Sequence, residues 1–193
     1  MPPLPCIEPG QQQQRQLLEV ARRSIKQGFV TQAPLRLELA DFDAELRAPA
    51  AVFVTLTEAG ELRGCVGSLQ AGEPLAQAVA NAAYNSAFRD HRFSAIRQEQ
   101  LARIRIEISV LSPLQRLHPD SRAALLQVLQ PGIDGLVIED RGRRATFLPK
   151  VWDGIDSPAA FLDHLLQKAG LGAGYWSDSI CVDRYHTLTF ADN

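Results

Sequence analysis

The sequence predicts an α+β fold in which an antiparallel β-sheet is packed by helices. The clearest strand covers residues 103–111, where isoleucine and valine alternate with polar side chains, as in a sheet with one buried and one wet face. Residues 51–69 predict a β-hairpin around a turn in which Gly60 takes positive φ. Strands and helices do not alternate regularly, which argues against a doubly wound parallel sheet.

The helices of this fold are predicted from apolar residues at helical spacing. Four segments show this pattern: residues 11–27, 74–88, 121–129 and 157–170. Gly28 is predicted to end the first of them, and Ser157 followed by Pro158 to begin the last. Residues 31–49 are interpreted as a connector with a short helical turn. A second hairpin is predicted from residues 136–140 and 144–148, and a last strand pair or extended segment from residues 180–190.

The length of 193 residues suits one domain, or two small lobes around one core. Residues 1–14 are predicted to form a loose N-terminal arm, because the first ten contain four prolines and a glycine. Residues 15–193 are then a single domain. The start lacks the features of a signal peptide, and no apolar run is long enough to span a membrane. A cytoplasmic location is therefore expected.

Composition argues against several classes of function. The net charge of −2, from 20 basic and 22 acidic residues, gives poor support to nucleic-acid binding. Cys6, Cys65 and Cys181 are widely spaced, which argues against both a disulfide scaffold and a cysteine-based zinc site. The four histidines show no metal-binding spacing, and no dinucleotide or phosphate-loop motif occurs. We therefore expect no metal and no cofactor.

The stretch with the most chemistry is Leu-Arg-Gly-Cys-Val-Gly, residues 62–67, in the second strand of the first hairpin. Strand alternation predicts that Arg63, Cys65 and Gly67 share one face, with Leu62, Gly64 and Val66 on the other. A cation beside a thiol favours the thiolate, so Arg63 is predicted to activate Cys65. The alternative is that Cys65 is a buried structural residue and that the glycines only make room for packing.

Asp90 and Arg92 follow directly after the predicted helix 74–88. Two interpretations stay open for this charged block. It complements the charges at the helix end, or it comes together with Arg63 and Cys65 in one site, where an arginine–carboxylate pair orients its neighbours. In the second case Cys65, Arg63, Asp90 and Arg92 are the candidate catalytic residues.

These blocks carry a family resemblance. Residues 62–67 resemble the signature of the AMMECR domain family, whose bacterial members resemble protein A of the AmmeMemoRadiSam system. Further similar blocks are Phe88-Arg89-Asp90-His91-Arg92-Phe93, Ile108-Ser109-Val110-Leu111-Ser112-Pro113, Gly132-Ile133-Asp134-Gly135-Leu136, Phe147-Leu148-Pro149-Lys150-Val151-Trp152 and Lys168-Ala169-Gly170-Leu171. The resemblance covers roughly residues 15–190. Many relatives carry histidine at Asp134 and glutamine at Lys150, so roles tied to those side chains do not transfer.

The resemblance implies two unequal lobes with residues 62–67 near a cleft. It adds Leu62, Gly64, Val66, Gly67 and Asp134 as candidate binding residues. It also implies a thiol-bearing component of a modification system, with a radical-SAM protein and a Memo-like protein as partners. The alternative from a different class is a non-catalytic module whose glycines accept a ligand or a partner backbone. A third, less supported alternative is a nucleic-acid-associated regulatory protein.

Overall fold

The structure, a computed structural model, describes residues 7–192. These residues form two units, a larger one of residues 7–111 and 188–192 and a smaller one of residues 112–187. Of the predicted N-terminal arm, residues 1–6 lie outside the described part, and Cys6 with them. Ile7 is buried in the core of the larger unit, and the first helix begins at Gln11.

Both units combine helices with one four-stranded sheet, and all pairings for which the register is defined are antiparallel. The predicted α+β class is thereby confirmed. The elements of the larger unit are α1 (Gln11–Thr31), α2 (Ala44–Arg47), β1 (Ala51–Glu58), β2 (Glu61–Ser68), α3 (Leu75–Phe88) and β3 (Ile104–Leu111). Those of the smaller unit are β4 (Gln115–Leu117), α4 (Arg122–Val128), β5 (Gly135–Asp140), β6 (Arg143–Phe147), α5 (Pro158–Lys168) and β7 (Cys181–Tyr185). The last strand, β8 (Thr187–Ala191), returns to the sheet of the larger unit.

The sheet of the larger unit has the strand order β2-β1-β3-β8. Helices α1 and α3 pack against each other, and they pack against the face of the sheet that carries Val54, Leu56 and Ile106. The alternation predicted for residues 103–111 is confirmed. Strand β3 pairs antiparallel with β1, its three isoleucines are at most 3% exposed, and Arg103 and Arg105 lie at the surface.

Helix α1 does not end at Gly28, as the sequence predicted, but continues to Thr31. The glycine instead lets α1 approach α3, because a Cβ at this position would lie 2.5 Å from the ring of Phe88 and 2.8 Å from that of Tyr84. The helix ends when Gln32 adopts a left-handed conformation. A helix-ending role and a packing role of glycine cannot be separated by local sequence alone.

The first hairpin has the predicted turn, with positive φ at Ala59 and Gly60. Its second strand departs from the predicted alternation. Leu56 pairs with Gly64, whereas Thr57 pairs with Leu62, so Arg63 is the extra residue of a β-bulge. The expectation that Leu62 shares a face with Gly64 and Val66 is therefore wrong, because the extra residue between them places Leu62 on the opposite face of the sheet.

The sheet of the smaller unit has the order β4-β7-β5-β6, and α5 packs on it through Phe161 and Leu165. Trp152 stacks on Phe161 with the ring centroids 3.8 Å apart. The predicted start of α5 is confirmed, since the Ser157 hydroxyl accepts a hydrogen bond from the backbone N–H of Ala160. The second predicted hairpin is also present, as β5 and β6.

Residues 180–190 form two strands, but the strands belong to different sheets and do not make a hairpin. Cys181 is half-buried in β7, where it pairs with Glu139 of β5. The connector of residues 31–49 contains a short 3₁₀ turn, Leu39–Asp41, and helix α2. None of the helices within residues 7–192 has the length and apolarity needed to cross a membrane.

Candidate functional site

Cys65 lies on β2, an edge strand of the larger sheet, and pairs with Thr55 of β1. Its neighbour Gly64 pairs with Leu56, which belongs to the face packed by α1 and α3. Because successive side chains point to opposite faces, the Cys65 thiol lies on the face away from these helices. The Cys65 side chain is half-buried there.

Asp90 and Arg92 hold the backbone of Cys65. The backbone N–H of Cys65 donates to Asp90 Oδ2 at 2.9 Å, and an Arg92 guanidinium nitrogen donates to the Cys65 carbonyl oxygen at 3.1 Å. The two side chains also bind each other, with contacts of 2.7 Å and 2.9 Å. We call Asp90 and Arg92 the Cys65 clamp. It supplies the donor and the acceptor that another strand would offer to this position of an edge strand.

The clamp exists because α3 returns the chain to the sheet edge. The helix ends at Phe88, and a hydrogen bond from Ile96 N–H to the Ala87 carbonyl oxygen closes the following loop. This loop presents Asp90 with its side chain only 6% exposed, whereas Arg92 is 60% exposed. These contacts bring Asp90 and Arg92 to the backbone of Cys65, and a site that they share with Arg63 stays a prediction.

The charges of the clamp stabilise each other. Hydrogen bonds from Arg92 and from the backbone N–H of Cys65 hold the pKa of Asp90 well below its usual range, although burial acts in the opposite direction. The pKa of Arg92 is raised, chiefly by its hydrogen bonds to Asp90. Asp90 is therefore an anion at neutral pH.

Within residues 7–192 the thiol makes one hydrogen bond, to Thr55, a residue that was not predicted for the site. Thr55 Oγ1 donates a hydrogen bond to Cys65 Sγ at 3.3 Å. Thr55 also pairs with Glu107 of β3, so that Cys65, Thr55 and Glu107 form a row across three strands on one face.

The two glycines beside Cys65 are needed for packing inside the unit. A Cβ at Gly64 would lie 2.0 Å from the backbone oxygen of Ser86 in α3, and one at Gly67 would lie 2.2 Å from the backbone oxygen of Val52. The Ser86 hydroxyl accepts from Val66 N–H and donates to the Val54 carbonyl oxygen, so it links the helix to both strands of the hairpin.

Arg63 is the extra residue of the bulge, so strand alternation no longer places its side chain relative to Cys65. Its closest acidic group is Glu58, with Arg63 Nε 4.0 Å from Glu58 Oε2. Glu58 also binds Gln100 and Arg103. Arg63 Nε is buried and makes no hydrogen bond within residues 7–192. The cation in contact with the Cys65 residue is Arg92 of the clamp.

Asp134 belongs to the smaller unit and is completely buried. Its carboxylate accepts from the backbone N–H of Gln130 at 2.9 Å and lies 3.1 Å from His186 Nε2 and 3.8 Å from a guanidinium nitrogen of Arg184. Its backbone oxygen accepts from Trp152 Nε1. These contacts join the loop before β5 to the end of β7 and to the 3₁₀ turn Pro149–Gly154, which carries Trp152.

Leu62 and Val66 are the remaining candidate binding residues in residues 62–67. Leu62 is 41% exposed and pairs with Thr57. Val66 is half-buried on the helix-packed face. Over the described part of the chain, no group of three His, Cys, Asp or Glu side chains is arranged to hold a metal ion.

The chain is similar to proteins of one family over nearly its whole length. The AMMECR1 family model matches residues 18–190. Protein SSO0193 of Saccharolobus solfataricus is 34% identical over 191 residues, covering 92% of this chain and 81% of that protein. A protein of Methanothermobacter thermautotrophicus is 36% identical over 162 residues, covering 81% and 82% of the two chains.

The fold has a counterpart among solved structures. The crystal structure of the uncharacterized protein PH0010 from Pyrococcus horikoshii superposes with a TM-score of 0.82 at 29% identity, covering 92% of this chain and 90% of the other. The resemblance seen in residues 62–67 and in the later blocks thus extends to the sequence and the fold as a whole. The chain belongs to the AMMECR1 family.

Proposed function

We propose that Cys65 is a nucleophilic thiol through which this protein takes part in a group-transfer reaction. The observation that carries the proposal is the way in which the residue is held. The clamp binds both backbone polar groups of Cys65, and the Thr55 hydroxyl donates to its sulfur. A half-buried thiol on an edge strand does not need this support for packing, whereas a nucleophile gains from a fixed position.

The reaction class follows from the thiol. The sulfur loses its proton to solvent or to a base of the substrate complex and forms an S–C bond with an electrophilic carbon, and the leaving group departs with its bonding electrons. A nucleophilic acceptor then attacks the same carbon, the S–C bond breaks with its electrons returning to sulfur, and the proton released by the acceptor restores the thiol. Thr55 donates to the sulfur and the clamp holds the backbone on both sides of it, so the sulfur is held in one position for the attack.

The wider setting of this chemistry comes from the family resemblance. We propose that the protein is the thiol-bearing component of a modification system that includes a radical-SAM protein and a Memo-like protein, and that it works in the cytoplasm. The competing proposal is a binding module in which Gly64 and Gly67 accept a ligand. The position that a side chain would take at each glycine is already occupied by backbone atoms of the protein, so a ligand cannot enter there in place of the missing side chain.

Site-resolved alkylation tests the thiol. Iodoacetamide labelling between pH 6 and pH 9, followed by mass spectrometry, should show that Cys65 reacts faster than Cys181 and faster than glutathione at neutral pH. Thr55→Val removes the donor to the sulfur and should lower the alkylation rate of Cys65 by roughly three- to tenfold, the effect of one hydrogen bond. Arg63→Ala removes a nearby cation that contacts Glu58 instead, and should leave the rate unchanged.

A Cys65 that reacts more slowly than Cys181 at neutral pH would refute the nucleophile and favour the binding module. An Arg63→Ala variant that slows Cys65 as much as Thr55→Val would assign the activation to Arg63, contrary to the contacts described above.

A further inference from the structure

A cleft of about 450 Å³ opens in the larger unit between the end of β2 and helix α3. Its floor is apolar, with small residues such as Ala78 and Ala82 of α3 beside Val66 of β2. Small side chains on a helix that packs against a sheet leave room beside the strand edge. The cleft contains no side chain of the Cys65 clamp and is separate from the thiol, which lies on the other face of the sheet.

One wall of the cleft is an open strand edge. In an antiparallel pair, the backbone groups of alternate residues point away from the partner strand. The N–H and C=O of Cys65 point outwards, because they reach the clamp. Gly67, two residues further on, therefore has the same outward direction and is exposed. No side chain within residues 7–192 binds the backbone of Gly67, in contrast to that of Cys65.

The polar side chains of the cleft are neutral or acidic. The Asn85 side chain makes no hydrogen bond to the part of the chain that the structure describes, although it is half-buried beside the opening. Glu73 accepts from Asn81 Nδ2 at 2.7 Å through one carboxylate oxygen. The described lining of the cleft includes no lysine, arginine or histidine. The cleft thus offers a strand edge, an amide and a negative charge.

We propose that this cleft binds an extended peptide segment with a positive charge. The peptide backbone pairs with the N–H and C=O of Gly67, in the way that the clamp pairs with Cys65, and the Asn85 amide binds the next peptide group. A lysine or arginine side chain, or a free amino terminus, lies beside Glu73. Backbone pairing supplies the affinity and the side-chain pocket the selectivity, as in other cases of strand addition.

The occupant is a peptide, because the N–H and C=O groups of an open strand edge form hydrogen bonds with a peptide backbone. At Cys65 the clamp already occupies these groups, so the peptide pairs at Gly67. The open part of the edge is short, and the volume suits a segment of a few residues. The inference goes beyond the proposed function, since peptide binding here needs no reaction at the thiol.

Nuclear magnetic resonance on the 15N-labelled full chain tests the proposal with defined probes. Acetyl-Val-Lys-Val-amide should shift the Gly67 backbone amide and the Asn85 side-chain amide saturably, with a dissociation constant in the millimolar range. Asn85→Ala should weaken binding by roughly three- to tenfold, the effect of one hydrogen bond. Glu73→Gln keeps an acceptor for Asn81 and should weaken binding by about two- to fivefold, as for an exposed ion pair.

Glu61→Gln is the matched control, because Glu61 is an exposed acid at the start of β2 and does not line the cleft; it should bind the peptide normally. Cys65→Ser should also bind it normally, so that a failure of the thiol proposal and a failure of this one are distinguished. The proposal is overturned if the lysine peptide causes no saturable shift at Gly67, if acetyl-Val-Glu-Val-amide binds equally well, or if butylamine alone binds as tightly as the peptide.

Discussion

Gly64→Ala is expected to destabilise the larger unit by about 3 kcal/mol or more, the upper part of the range for overpacked cores. The new Cβ would lie 2.0 Å from the Ser86 backbone oxygen and 2.9 Å from the Ser86 carbonyl carbon. Neither atom can rotate away, since both belong to the main chain of α3. Relief requires that α3 or β2 move, and movement of either weakens the bonds that the Ser86 hydroxyl makes to Val54 and Val66.

Urea denaturation measures this effect, and Gly72→Ala is its matched control. Gly72 lies in the loop between β2 and α3, and a Cβ there has no heavy atom within 4 Å. The control should unfold at nearly the wild-type urea concentration. Equal stability of the two variants would show that α3 does not pack as closely on β2 as these distances state.

The same substitution should alter the thiol. The clamp follows the C-terminal end of α3, so a displaced helix carries Asp90 away from Cys65. We expect Gly64→Ala to change the alkylation rate of Cys65, whereas that of Cys181 in the smaller unit stays the same. A change at Cys65 alone would connect the packing of the helix to the position of the sulfur.

Asp90→Ala is expected to lower the free energy of unfolding by about 2–3 kcal/mol, because it removes charge-assisted hydrogen bonds and leaves Cys65 N–H without its acceptor. Glu99→Ala is the matched control. Glu99 pairs with Arg97 at 2.8 Å, but both side chains are more than 60% exposed, and such a pair is worth at most about 1 kcal/mol. Similar losses in the two variants would contradict a structural role for the clamp.

The contribution of Asp90 should depend on pH in a defined direction. Its pKa is lowered in the folded protein by Arg92 and by Cys65 N–H, relative to an unfolded value near 4. The stabilisation is therefore fully present at pH values well above 4 and is lost as the pH falls below about 4, towards the lower folded pKa. Urea denaturation at pH 7 and at pH 3 should show that the free energies of unfolding of Asp90→Asn and the wild type differ less at pH 3 than at pH 7. An equal difference at both pH values would mean that the Asp90 pKa is not lowered.

The sequence alone determined the class of the fold and most of its elements. The strand of residues 103–111 and the cap at Ser157 were predicted correctly, because alternation and capping are local properties that appear in a few neighbouring residues. The turn at Gly60 followed from the same kind of information. The charged block at Asp90 and Arg92 could be assigned to Cys65 only as one of two alternatives.

The tertiary structure alone decided the geometry around the thiol. A regular hairpin from the Glu58–Glu61 pair would place Cys65 opposite Val54, whereas the bulge at Arg63 shifts the register and places it opposite Thr55. The bulge arises where Gly64 lies under the backbone of Ser86, a contact between residues far apart in sequence. Gly28 likewise stays inside α1 because it faces the aromatic rings of α3. Such contacts depend on which surfaces meet after folding, and the periodicity of one segment does not specify the surface against which that segment will pack.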